Sequence, residues 1–163
     1  MKKYYAIETE EGREFSTKRD IEGKVPGCRV LIPIESRILD KDGLLFRVFE
    51  KRVEGYVIME TDELTKKDAS KVRKIDFVLG VISDSKRNPS ELPYEEVERF
   101  VGDYDLHGED LIKKEALLIE GTYAGYNCIV TSKIKDEFEV IVLIKNKPKV
   151  YVPIWYLAKE VTR

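Results

Sequence analysis

The chain has 163 residues, enough for one ordinary domain or two small ones, each with a core. Its 29 lysines and arginines nearly cancel 31 aspartates and glutamates, so with a net charge of -2 any grip on a polyanion has to come from local basic patches. With 42% hydrophobic and 10% aromatic residues the composition excludes a disordered chain, and Cys28 and Cys128, the two cysteines, exclude a disulfide-dense scaffold or a four-cysteine zinc site, which fits a reducing cytoplasm.

Lys2 and Lys3 are followed by Glu8, Glu10 and Glu11 instead of the apolar stretch of a secretory signal, and the best apolar run, at 140–144, is strand-sized, so no export and no membrane partner are expected. Residues 4–9 read as a strand and 12–21 as a short helix stopped by Gly23 and the Pro26-Gly27 turn. Residues 29–34 make a β-branched strand, and Asp40-Lys41-Asp42-Gly43 is a hairpin tip with 44–49 as its returning arm. After a strand at 55–61, Asp62 and Thr65 are caps for a helix over 66–75 that turns Ala69, Val72 and Ile75 inward; 77–82 is again a strand. Pro93 suits the first turn of a helix over 94–101, with Val97, Phe100 and Val101 in its apolar stripe. Several strands are apolar on both faces, Tyr56 and Ile58 opposing Val57 and Met59, and with few helices to cover them an apolar face is expected to await a partner.

Polar, aperiodic residues at 103–110 read as a linker that divides a domain at 1–102 from one at 111–163. The second part reads as short strands, at 116–119, 128–134, 137–144 and 150–152, with a last turn near Trp155, which suggests a small β-barrel. Two basic features stand out. Lys67, Lys71 and Lys74 share one face of the 66–75 helix, widened by Lys66 and Arg73. Lys145, Lys147 and Lys149 crowd a hairpin tip, with Lys133 and Lys135 on a neighbouring strand and Lys113 and Lys114 at its entry. Such strips suit phosphates, which carry no sequence information. Nothing assembles an enzyme: His107 lies in the linker, the cysteines sit in apolar strands, and Glu10-Glu11 and Glu95-Glu96 are neighbours on solvated turns. There is no phosphate-cradling loop and no metal-ligand spacing, so neither metal nor cofactor is expected.

Between two strands, Gly121-Thr122-Tyr123-Ala124-Gly125 places two glycines around an aromatic residue and resembles the KOW motif. Residues 1–102 resemble the amino-terminal domain of the NusG family of transcription elongation factors, through Tyr4-Tyr5-Ala6-Ile7-Glu8-Thr9 with Gly12, Val53-Glu54-Gly55-Tyr56-Val57-Ile58 and the run 72–82. The order of these motifs, the linker and the carboxy-terminal strands carry the resemblance over nearly the whole chain. Departures exist: the usual Phe-Pro-Gly-Tyr is Val53-Glu54-Gly55-Tyr56, and Cys128 replaces a glycine near the second KOW strand. Such divergence in a short chain resembles a specialised paralogue, and among these the LoaP type, which the resemblance links to processive antitermination and to an RNA hairpin in the leader of its operons.

The resemblance implies an α+β fold, an antiparallel sheet with helices (NGN-like) followed by a small SH3-like β-barrel (KOW). It implies that Tyr4, Ala6, Val53, Tyr56, Ile58 and Phe100 dock on the clamp helices of RNA polymerase and so oppose the clamp opening that accompanies pausing and termination. Lys66, Lys67, Lys71, Arg73 and Lys74 would face non-template DNA. Lys113, Lys114, Tyr123, Lys133, Lys135, Lys145, Lys147 and Lys149 would meet a hairpin in the nascent leader transcript, or another factor. A monomeric, cytoplasmic antitermination factor is expected; a housekeeping NusG-like pausing or termination factor and a ribosome-associated KOW protein are the alternatives. The β-branched tail, interrupted by Pro148 and Pro153, argues against a carboxy-terminal part that refolds as helices.

Overall fold

The computed structural model describes residues 1–101 and 108–161. The chain runs β1 (Lys3–Thr9), α1 (Glu14–Lys24), β2 (Arg29–Leu31), β3 (Ile34–Lys41), β4 (Leu44–Lys51), β5 (Tyr56–Thr61), α2 (Lys66–Arg73), β6 (Val78–Val81), α3 (Tyr94–Val101), β7 (Glu115–Leu118), β8 (Asn127–Ile134), β9 (Glu137–Val142), β10 (Lys149–Pro153) and β11 (Leu157–Val161), with 3-10 turns at Glu109–Leu111 and Ile154–Tyr156. These form two units, Met1–Ile34 with Lys51–Gly102, and Glu35–Glu50 with Asp103–Arg163. The linker expected at 103–110, with His107, lies outside the described residues as far as 107.

In the first unit, four strands pair antiparallel in the order β2-β5-β1-β6. Alternation sends Tyr5, Ile7, Val57 and Met59 to one face, where they are buried together with Ile21 of α1 and Ala69 and Val72 of α2. The inward set expected for α2 is thus found, Ile75 included, and Thr65 caps the helix by accepting the Asp68 N–H at 3.1 Å. The inner side of α1 is polar instead: Glu14, Thr17 and Lys18 are buried beside Ile21. Each has a partner, Thr17 bonding Thr9 at 2.6 Å and Lys18 donating to Glu22 at 2.8 Å, which is the condition for burying such groups without a large penalty. The strand expected over 29–34 is interrupted, because Pro33 has no N–H to give a ladder, and β3 begins at Ile34.

The second unit holds a seven-stranded sheet in the order β10-β9-β8-β7-β11-β4-β3. Its core is the inward row of those strands, Val130, Phe138, Val140, Val142 and Leu118 among it, all at most 1% exposed. The β3-β4 hairpin turns at Asp42 and Gly43, both at positive φ, as a two-residue tip requires. Although it lies within the amino-terminal sequence, it adds to the carboxy-terminal strands: β4 pairs with β11, Ala158 opposite Val48 and Glu160 opposite Phe46. This corrects the expectation of a small SH3-like barrel. Closure needs the outer strands to meet; here the outer edge of β11 is filled by β4, the sheet ends at β10 and β3, and no closed barrel forms among the described residues.

Candidate functional site

In the β1-β5 register Tyr4 opposes Glu60, Ala6 opposes Ile58 and Glu8 opposes Tyr56, so these six share the sheet face away from Tyr5, Ile7, Val57 and Met59. Tyr4, Ala6 and Tyr56 are half-buried there, and the Tyr4 hydroxyl donates to Glu60 Oε2 at 2.8 Å. Ile58, expected to offer a contact surface, is only 4% exposed: Ala6 and Leu31 flank it on the two neighbouring strands, and it belongs to the core. The side chain of Phe100 lies outside the described residues.

Val53 sits on the turn between β4 and β5, and that turn is held from beneath. Glu14, 1% exposed, accepts the Gly55 N–H at 2.9 Å and the Lys51 ammonium at 3.3 Å. Gly55 adopts φ +80, and its carbonyl accepts the Thr9 N–H at 2.9 Å, while the Arg52 N–H and guanidinium reach the carbonyls of Pro33 and Arg99. Burial raises the Glu14 pKa, but the Gly55 N–H and Lys51 outweigh it and hold the carboxyl below its ordinary value. Val53 and Tyr56, both half-buried, are therefore presented by a braced turn. Sequence reasoning missed Glu14; a glutamate opening a helix reads as a dipole partner, and nothing local says that it faces inward.

Lys66, Lys67, Lys71 and Lys74 are exposed along α2, as the spacing implies, and Lys71 lies 3.8 Å from Asp68. Arg73 is half-buried and donates to Ser83 Oγ at 3.1 Å. In the second unit the expected lysines do not form one cluster. Lys145 and Lys147 occupy the β9-β10 turn and Lys149 opens β10, at the same end of the sheet as the glycine loop with Tyr123, because Asn127 follows that loop and its carbonyl accepts the Leu143 N–H at 2.9 Å. Lys133 opposes Phe138 and Lys135 sits in the β8-β9 turn, at the opposite end. Lys113 and Lys114, both exposed, lead into β7 and bond the backbone of Val130.

Burial pushes the thiols of both Cys28 and Cys128 up to about 11, so neither is a nucleophile near neutral pH. No group of His, Cys, Asp and Glu among the described residues could hold a metal ion, and no helix among them is long and apolar enough to cross a membrane. Residues 2–101 match the family described as transcription termination factor NusG, and the chain belongs to that family of non-enzymatic transcription factors. Among solved structures it is similar to one of Thermotoga maritima NusG, at 20% identity over 98% of this chain and 97% of that one with a TM-score of 0.49. It is also similar to the MjSpt4:Spt5 complex in two conformations, at 17% identity over 98% and 97% of the two chains (TM-score 0.42) and at 19% over 98% and 99% (TM-score 0.34). No curated protein matches it.

Proposed function

We propose that the chain is a cytoplasmic elongation and antitermination factor of the LoaP type, whose first unit grips the RNA polymerase clamp and whose second unit contacts a hairpin in the nascent leader. The observation that carries the reading is the NusG match over 2–101, which takes in the whole face bearing Tyr4, Ala6, Tyr56 and the Val53 turn. Burying a few such side chains on a helical partner contributes roughly 1.5 to 3 kcal/mol each, enough for a clamp contact that favours the closed state without any bond being made or broken. Ile58 supports this face from within, and the α2 lysines supply phosphate contacts to non-template DNA.

For RNA, the Lys145, Lys147 and Lys149 tip is the primary contact, because all three are exposed at one end of the sheet, beside the loop read as KOW. Lys133 and Lys135, at the other end, belong to a second contact if the hairpin is long enough to span both. The test is transcription in vitro through a terminator, with and without a leader hairpin upstream. Read-through that depends on the hairpin supports the LoaP-type reading; an effect on pausing or termination that ignores it supports a housekeeping NusG-like factor instead.

A further inference from the structure

The turn that leads into β6 holds a residue its backbone does not favour. The Val78 N–H donates to the Ile75 carbonyl at 3.1 Å, closing a four-residue turn, and Phe77, third in that turn, has φ +71. Positive φ at the third residue of such a turn calls for glycine or asparagine. Among the described residues the other non-glycine residues with positive φ are Asp42, Arg87, Lys113, Lys135 and Lys147, all polar, and Phe77 alone is apolar. What holds the turn is backbone. The Phe77 carbonyl accepts the Glu10 N–H at 2.8 Å and the Thr9 hydroxyl at 2.9 Å, and glycine would make the same bonds. The ring is 36% exposed, with the Arg13 guanidinium over it at 4.6 Å from its centroid. A bulky, partly open ring on a strained backbone, where a smaller residue would relieve the strain and keep every bond, marks a side chain kept for contact.

The position of that ring selects its partner. Thr9 is shared by two turns: its N–H donates to the Gly55 carbonyl at 2.9 Å and its hydroxyl to Phe77, so the braced turn of Val53 and the turn of Phe77 flank the end of β1 from opposite sides. Leu79, 64% exposed on the outermost strand β6, adds apolar surface two residues on. The ionisable groups next along the chain are Glu8, Glu10, Glu11 and Asp76 against Arg13 and Lys74. This excess of negative charge disfavours a nucleic-acid phosphate and leaves a protein surface as the occupant. We propose that Phe77, stiffened by Arg13, is a further contact residue of the first unit, one that adds selectivity for the same helical partner as the face of Tyr4 and Tyr56. The inference rests on the reading of that partner as the RNA polymerase clamp.

The test is binding of core RNA polymerase by the full chain with Phe77→Gly, with Phe77→Tyr and unsubstituted, beside denaturant unfolding of the same proteins. Phe77→Gly should bind polymerase roughly tenfold more weakly, as loss of one aromatic contact implies. Its unfolding midpoint should be unchanged or higher, because relief of the positive φ offsets the greater freedom of glycine in the unfolded chain. Phe77→Tyr keeps the ring and should bind as the wild type does. Weaker binding of Phe77→Gly together with a lowered midpoint assigns the ring to the core and overturns the proposal. A Phe77→Gly variant that keeps its polymerase affinity but loses affinity for single-stranded DNA overturns it too. Equal polymerase binding by Phe77→Gly and the wild type overturns this inference alone, whereas no polymerase binding by the unsubstituted chain overturns the polymerase reading and this inference with it.

Discussion

The two units solve the burial problem differently. The first covers one sheet face with helices and leaves the opposite face partly open, and the helix at its centre is polar within: Glu14, Thr17 and Lys18 are all 3% exposed or less. The second has no helix of more than one turn among its described residues and builds its core on a lengthened sheet, borrowing the β3-β4 hairpin from the middle of the amino-terminal sequence. The first unit therefore adds a few paired polar groups to its apolar core, while the second adds a borrowed strand pairing to its own.

The largest effect should come from breaking the borrowed edge. Val48, 4% exposed and opposite Ala158, becomes a buried unpaired charge in Val48→Asp, which should destabilise the second unit by about 4 kcal/mol. Denaturant unfolding followed by Trp155, the single tryptophan, reads this unit directly. An unshifted midpoint would show that the hairpin is not part of it.

Next is the brace in the first unit. Glu14→Ala leaves the Gly55 N–H without its buried acceptor and Lys51 with Glu54 as its remaining carboxylate at 3.3 Å, and should cost about 2 kcal/mol, seen by circular dichroism of the helices. The pH sign follows from the lowered pKa of Glu14: its stabilisation is complete above the ordinary glutamate range and fades as pH falls through the depressed folded value. Glu14→Gln should accordingly flatten the acid limb of stability against pH; an unchanged limb would assign that limb to other carboxylates.

The smallest effect on stability, and the sharpest on function, belongs to the tip of the second unit. Replacing Lys145, Lys147 and Lys149 by alanine should leave stability within about 0.5 kcal/mol, since all three are exposed. It should also reduce the salt slope of leader-hairpin binding by about 2. A slope equal to that of the wild type removes the tip from the RNA site.

Periodic, local features were legible in the sequence. The inward set Ala69, Val72 and Ile75, the Thr65 cap and the Asp42-Gly43 tip all depend on residues within a turn or two of each other. What depends on pairing over long separations was not. Nothing in 44–49 says that Phe46 will lie opposite Glu160, the pairing that carries the sheet on to β4 and β3. The face of Tyr56 was legible from alternation, whereas the burial of Ile58 requires knowing that Leu31 and Ala6 flank it. The lysines were legible as residues but not as two separate ends of a sheet, because the strand register decides which tips meet.

The most direct test of the account is binding of core RNA polymerase by the full chain and by a Tyr4→Asp, Tyr56→Asp double variant, measured by biolayer interferometry, with circular dichroism confirming that the variant stays folded. Polymerase binding that falls by at least about a hundredfold, as loss of two buried aromatic contacts implies, is the expected result. A folded variant that binds polymerase as tightly as the wild type would contradict the account.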